Sequence, residues 1–189
     1  MSVKTGVIGV GAIGRNHARI YAELESSNLV GIYDANTEHA ASVASEFGTR
    51  AFASLDELVK EIDAASVSTP TVTHRDIAAQ LLNAGKHVLV EKPISDSVDD
   101  AKAIIDLAHD KGLILQVGHI ERFNPVMSQL EERLDHPKFI ECHRLSPFPQ
   151  RSLDIGVVLD LMIHDLEIVL HLVNSPVVSV DAVGIPVLT

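Results

Sequence analysis

The stretch Val7-Ile8-Gly9-Val10-Gly11-Ala12-Ile13-Gly14, with Asp34 twenty residues beyond its last glycine, decides how the rest of the chain is read. An apolar strand runs into Gly-x-Gly-x-x-Gly and then into a helical pattern over Ala12–Leu24. Gly9 permits a tight turn, Gly11 lets the backbone approach a pyrophosphate, and Gly14 lets the helix pack on the strand. The N–H groups that open the helix then face negative phosphates. Glycines also serve ordinary turns. Here the strand before, the helix after and the acid at the expected distance point together to dinucleotide binding. The expected contacts are Gly9, Gly11, Ala12, Ile13, Gly14 and Asp34. Asp34 suits the adenosine ribose hydroxyls and repels a 2′-phosphate, and neither Ala35 nor Asn36 supplies an offsetting cation. NAD is therefore expected ahead of NADP.

Working outward, short Val, Ile and Ala runs alternate with helical patterns, which predicts βαβ units and a parallel sheet. Strands are expected near Lys4–Val10, Leu29–Asp34, Arg50–Phe52, Ala64–Ser68, His87–Glu91 and Leu113–Gly118. Helices are expected near Ile13–Leu24, Glu38–Phe47, Leu55–Glu61, His74–Ala84 and Val98–Lys111. Ser54 with Glu57, and Ser97 with Asp100, are possible capping boxes. The fold class is thus α/β, a doubly wound parallel domain over residues 1–119. Residues 120–189 read as the incomplete start of an α+β domain with an antiparallel sheet. It would hold a helix from Asn124-Pro125 to about Leu134, a strand Lys138–Pro147, a turn Phe148–Arg151, an apolar helix Leu153–Val173 and a strand Val177–Leu188. A helix between two strands does not close a core of its own.

Composition narrows the function classes. Hydrophobic residues make up 46% of the 189, enough for a packed core, and no apolar run approaches the roughly 20 residues that span a bilayer. A formal net charge of −11 argues against nucleic acid as the main partner. The N-terminus runs straight into a strand, so no targeting segment is evident, and a single cysteine fits the reducing cytoplasm. Cys142 itself reads as a buried small hydrophobe within a strand.

Four further segments carry a resemblance. They are Ser68-Thr69-Pro70-Thr71 with His74, Glu91-Lys92-Pro93, Arg122-Phe123-Asn124-Pro125, and Asp160-Leu161-Met162-Ile163-His164-Asp165. In this order after the glycine turn, they resemble the glucose–fructose oxidoreductase / inositol dehydrogenase (Gfo/Idh/MocA-like) family over essentially the whole chain. That family normally continues through several more strands of an open antiparallel sheet, which this sequence lacks. From this departure the chain is expected to bind dinucleotide, to turn over sugars poorly and to self-associate through its unpaired strands.

The resemblance implies an NAD-dependent oxidoreductase that moves hydride between nicotinamide and a secondary hydroxyl of a sugar. It implies that Lys92 lies between the nicotinamide and that hydroxyl, at the carboxyl edge of the sheet where doubly wound folds bind ligands. Asp160 and His164, four residues apart, share a helix face that is otherwise apolar. A carboxylate and an imidazole there are costly unless partnered or functional. His164 can take the hydroxyl proton and Asp160 can orient it or contact substrate, although a hydrogen-bonded core pair also explains them. The catalytic candidates are Lys92, Asp160 and His164. Ser68, Thr69, Pro70, His74, Glu91 and Lys92 complete the cofactor candidates, with a Thr71 N-cap and a helix-start His74 as plainer readings.

Arg122 and Asn124 are candidate substrate contacts, though capping and exposure explain them almost as well. His17, His39 and His109 read as solvated helix residues. A metal set from His164, Asp165 and His171 lacks supporting ligands, so no metal is expected. Within the family, Gly118–Pro125 and Ser146–Ser152 resemble enzymes that oxidise the 3-hydroxyl of UDP-N-acetylglucosamine or a related nucleotide sugar. Inositol or a simple sugar is the alternative substrate. A non-enzymatic NAD-binding regulator, or an inactive fragment of such an enzyme, is the alternative role. The expected partners are a small-molecule substrate and further copies of the chain, as a homo-oligomer, with neither nucleic acid nor membrane.

Overall fold

The computed structural model describes residues 2–146 and 156–186. Its strands are β1 (Val3–Ile8), β2 (Ser27–Tyr33), β3 (Arg50–Ala51), β4 (Ala64–Val67), β5 (His87–Val90) and β6 (Leu115–Val117). They form one sheet in the order β3-β2-β1-β4-β5-β6, with every pairing parallel. The order reverses between β1 and β4, so the crevice outside their carboxyl ends is where an open α/β sheet binds its ligand.

Helices α1 (Ala12–Glu23), α2 (Thr37–Glu46), α3 (Leu55–Glu61), α4 (His74–Asn83) and α5 (Val98–Asp110) connect the strands. Successive strand side chains point to opposite faces. Val7 accordingly joins Ala18 of α1 and Val43 of α2 in one apolar cluster, while Ile8 joins Leu58, Leu81 and Ile104 from α3, α4 and α5 in the other. The α/β doubly wound expectation holds, with each strand ending one or two residues sooner than expected and β1 and β2 starting one and two residues earlier. Both expected capping serines are found: Ser54 accepts from the Glu57 amide and Ser97 from the Asp100 amide.

Beyond β6 the chain makes a 3₁₀ turn (Ile120–Phe123) and α6 (Pro125–Glu131), then a π-helical turn (Val158–Met162) that runs into α7 (Ile163–Val173). Arg122 of the 3₁₀ turn donates to Glu167 of α7, which is only 9% exposed, and His171 meets Glu131 of α6. These pairs seat α7 beside the carboxyl edge of the sheet.

Two expected strands are corrected. Among the described residues of Lys138–Pro147 and Val177–Leu188 there is no strand, and no antiparallel pair occurs. A strand is a pairing, and apolar sequence without a ladder partner does not make one; Val178 is 97% exposed. Cys142, expected to be buried in the first of these strands, is exposed for the same reason. The expected turn Phe148–Arg151 and the first residues of the helix from Leu153 lie outside the described residues.

Candidate active site

At the glycine turn the backbone dictates the residues. Gly9 has φ +79°, a conformation that side chains rarely adopt. A Cβ on Gly14 would sit 1.8 Å from the Gly9 carbonyl oxygen, so only glycine lets α1 lie this close to β1. Gly11 caps α1 with no side-chain partner, and no acid occupies the first helical turn. The positive end of the helix therefore opens toward solvent, ready for an anion. Ala12 is exposed at the first helical position, and Ile13 lines the cleft that starts here.

Asp34 does more than the ribose contact expected of it. One carboxylate oxygen accepts from the Val10 amide at 2.8 Å and the other from the Asn36 amide at 2.8 Å, which ties the glycine turn to the end of β2. A carboxylate offers about four lone pairs, so acceptor capacity remains toward the cleft that Asp34 lines. His39 meets the Val10 carbonyl at 2.8 Å and braces the turn from α2. It is not merely solvated, as expected from sequence.

A cleft of about 1020 Å³ runs along this carboxyl edge, from Gly9, Gly11 and Asp34 past Ser68, Thr69 and Pro70 to Lys92, Asp160 and His164. The Ser68 hydroxyl is buried with no hydrogen-bond partner among the described residues, the kind of polar group that a bound molecule satisfies. The expected Thr71 cap is not made; Thr71 instead opens a 3₁₀ turn (Thr71–Thr73) ahead of α4. His74, 1% exposed, meets the carbonyls of Pro93 and Thr69 at 2.9 Å each and so staples the loops after β4 and β5 together.

The second half of the cleft is made by side chains. Lys92 Nζ donates to the Asp160 backbone carbonyl at 2.8 Å and to Asp160 Oδ1 at 3.2 Å, with both side chains less than one-fifth exposed. Asp160 sits in the π turn and His164 in the first turn of α7. The wider π turn leaves residues four apart on nearly the same side, and both line the cleft. Burial, helped by the positive Lys92 and Arg144, holds the His164 imidazolium's pKa below the usual histidine value. Asp165 faces Arg144 instead, through two N–H···O bonds of 2.8 Å that hold its carboxyl below the usual carboxylate range. Asp165 and His171 are thus engaged by Arg144 and Glu131.

Four residues have partners that the sequence did not disclose. Arg122 is committed to Glu167, and Asn124 caps α6 by accepting from the Val126 amide; neither lines the cleft. The Glu91 carboxylate, a cofactor candidate, lines the cleft and also meets His17 Nε2 at 3.0 Å and the Lys92 amide at 3.3 Å. His17, expected in solvent, is largely buried there. The overlooked signal was its spacing: three residues after Gly14, it shares the helix face packed on the sheet.

Comparison with known proteins agrees with this geometry. The family model described as oxidoreductase family, NAD-binding Rossmann fold, matches residues 3–119. The UDP-N-acetylglucosamine 3-dehydrogenase of Acidithiobacillus ferrooxidans is 46% identical over 99% of the chain, which spans 59% of that relative's length. A solved structure of the enzyme of that name and organism superimposes with a TM-score of 0.94 at 45% identity, over 100% of this chain and 62% of the other. GenD2 from gentamicin A biosynthesis, solved in complex with NAD, is 31% identical with a TM-score of 0.67, over 69% of this chain and 38% of its own.

Proposed function

The chain belongs to the Gfo/Idh/MocA oxidoreductase family, and from that premise we propose that it binds NAD and oxidises a secondary hydroxyl of a sugar. The substrate we favour is the 3-hydroxyl of UDP-N-acetylglucosamine. A whole-chain relative of that name at 46% identity supports this choice over inositols, whose dehydrogenases are less similar; the scyllo-inositol 2-dehydrogenase (NAD(+)) of Bacillus subtilis, for example, is 29% identical.

The cofactor end fits the chemistry of a dinucleotide. An uncapped helix start suits a pyrophosphate, Asp34 suits a ribose diol without a 2′-phosphate, and the unpartnered Ser68 hydroxyl is available to a bound group. Bound NAD supplies the hydride acceptor, so the alcohol carbon loses hydride and becomes a carbonyl carbon. This chain's residues manage the oxygen and its proton. Two of the three Lys92 ammonium donors are taken by Asp160, and the third can hold the substrate oxygen and stabilise charge that grows on it. His164, kept neutral by burial and two positive neighbours, accepts the hydroxyl proton. Asp160 orients the lysine.

The observation that carries this reading is the meeting of Lys92 and Asp160, with His164, in the cleft that the glycine turn opens. We assign residues 1–119 to the cofactor and 120–189 to the substrate side. A homo-oligomer in the reducing cytoplasm belongs to the same reading. The exposed thiol of Cys142 suits that compartment, and exposed Leu166 and Leu170 on α7 offer apolar surface to a second copy. Among the described residues no helix is long and apolar enough to cross a membrane.

The test is to incubate the purified chain with NAD and UDP-N-acetylglucosamine, inositols or glucose 6-phosphate in parallel. NADH formation fastest with the nucleotide sugar, and a product lighter by two hydrogens in mass spectrometry, is expected. Turnover of inositol alone would overturn the substrate, and no NADH from any of them would overturn the activity.

A further inference from the structure

We propose that Glu91 is a positioning residue for Lys92 and that His17 holds it in place, an inference that rests on the catalytic role given to Lys92 above. The carboxylate is held by two groups and bordered by a third. His17 Nε2, from α1, meets Oε1 at 3.0 Å. The backbone amide of Lys92 donates to Oε2 at 3.3 Å. Gly118 covers the group from the end of β6: a Cβ there would come within 2.8 Å of Oε1. The side chains of His17 and Glu91 are 14% and 15% exposed, so the pair works at low solvent access.

A carboxylate this sheltered is costly unless its oxygens are satisfied, and here Oε2 accepts from the Lys92 amide while Oε1 lies 3.0 Å from His17 Nε2. Glu91 lines the cleft, and these contacts fix its carboxylate there. What it holds is the main chain of the very residue whose ammonium reaches Asp160. Lys92 is thus fixed at both ends, by Glu91 at its amide and by Asp160 at Nζ. A long, flexible side chain anchored at both ends loses little further freedom when it takes up a substrate oxygen.

His17 extends the link. It stands three residues after Gly14, on the helix whose start faces the phosphate end of the cleft. Its other ring nitrogen, Nδ1, is buried with no partner among the described residues. The path Gly14, His17, Glu91, Lys92 therefore joins the two halves of the cleft through the His17–Glu91 contact. Gly118 also gains a reason to be glycine that has nothing to do with backbone conformation: it leaves room for the carboxylate.

The experiment compares Glu91→Ala, Glu91→Gln, His17→Ala and Gly118→Ala in the full chain. Glu91→Ala should lower kcat with UDP-N-acetylglucosamine about tenfold, the scale of one oriented hydrogen bond to a charged group. The dissociation constant and KM for NAD should stay within about twofold on the same scale. Glu91→Gln keeps an acceptor for the Lys92 amide and should restore most of the loss. Gly118→Ala should imitate Glu91→Ala, since the carboxylate must move.

A second readout does not depend on turnover. Hydrogen exchange at the Lys92 amide should speed up in Glu91→Ala and His17→Ala and not in Glu91→Gln. Loss of NAD affinity at unchanged kcat would make Glu91 a cofactor ligand and overturn the proposal. Unchanged exchange at Lys92 in Glu91→Ala would overturn it as well. Should the parent oxidise none of the sugars, the proposed function fails, and the exchange measurement still decides whether Glu91 holds Lys92.

Discussion

The two halves of the cleft are built by different means. At the end bounded by Gly9, Gly11, Gly14 and Asp34, the backbone does the work. The sequence there is constrained by a positive φ, a 1.8 Å approach and an open helix start. At the Lys92 end, the work is done by side chains from segments 68 residues apart that meet only because α7 is seated against the sheet edge. The first half should therefore fail by losing the ligand, and the second by losing turnover while the ligand still binds.

The largest effect is expected at Gly14. Gly14→Ala introduces a carbon that the Gly9 carbonyl already excludes, and backbone cannot yield as a flexible side chain can. The cost should match or exceed the roughly 1–3 kcal/mol of ordinary overpacking. NAD binding by calorimetry should disappear, with a lower Tm. Binding at the parent's affinity would show that α1 does not need its close approach.

Asp34→Ala should come next, weakening NAD about tenfold, since it removes a charged acceptor both from the ribose and from the Val10 amide that shapes the turn. NADP should lose less or gain, because the repulsion of its 2′-phosphate goes with the carboxylate. Calorimetry with both dinucleotides reads this directly. An unchanged preference for NAD would move the discrimination elsewhere.

The division also explains what the sequence discloses. The glycine turn, the six strands, their crossovers and the serine caps at Ser54 and Ser97 follow from local rules, because each depends on neighbours a few residues away. Lys92 meeting Asp160 follows from no periodicity; it was legible only through resemblance. The spacing of His17 from Gly14 marks its helix face as packed, but its partner, Glu91, lies on another element that no local rule connects to it. Arg122 read equally well as ligand contact or surface charge until Glu167 supplied its buried partner. The apolar segments after Lys138 read as strands because alternation reports side-chain chemistry, whereas a strand also needs a ladder partner.

A smaller effect sharpens the contrast through pH. His164 acts neutral, and its pKa is held down first by burial and then by Lys92 and Arg144. The acid limb of kcat should therefore fall below the usual histidine value of about 6.5. Arg144→Leu removes one positive neighbour, so protonation becomes easier and the acid limb should move up, while NAD affinity stays put. On stability the sign is fixed as well. The folded state binds this proton less readily than the unfolded chain, so lowering pH through the usual histidine range should cost stability. An acid limb that does not move in Arg144→Leu would separate His164 from this charge.

The division is tested most directly by calorimetry of NAD binding to the double variant Lys92→Met, His164→Asn, alongside its turnover of UDP-N-acetylglucosamine. Binding within about twofold of the parent, with turnover down about a hundredfold or more, is the predicted result. Loss of NAD affinity together with activity, or turnover that survives both substitutions, would contradict it.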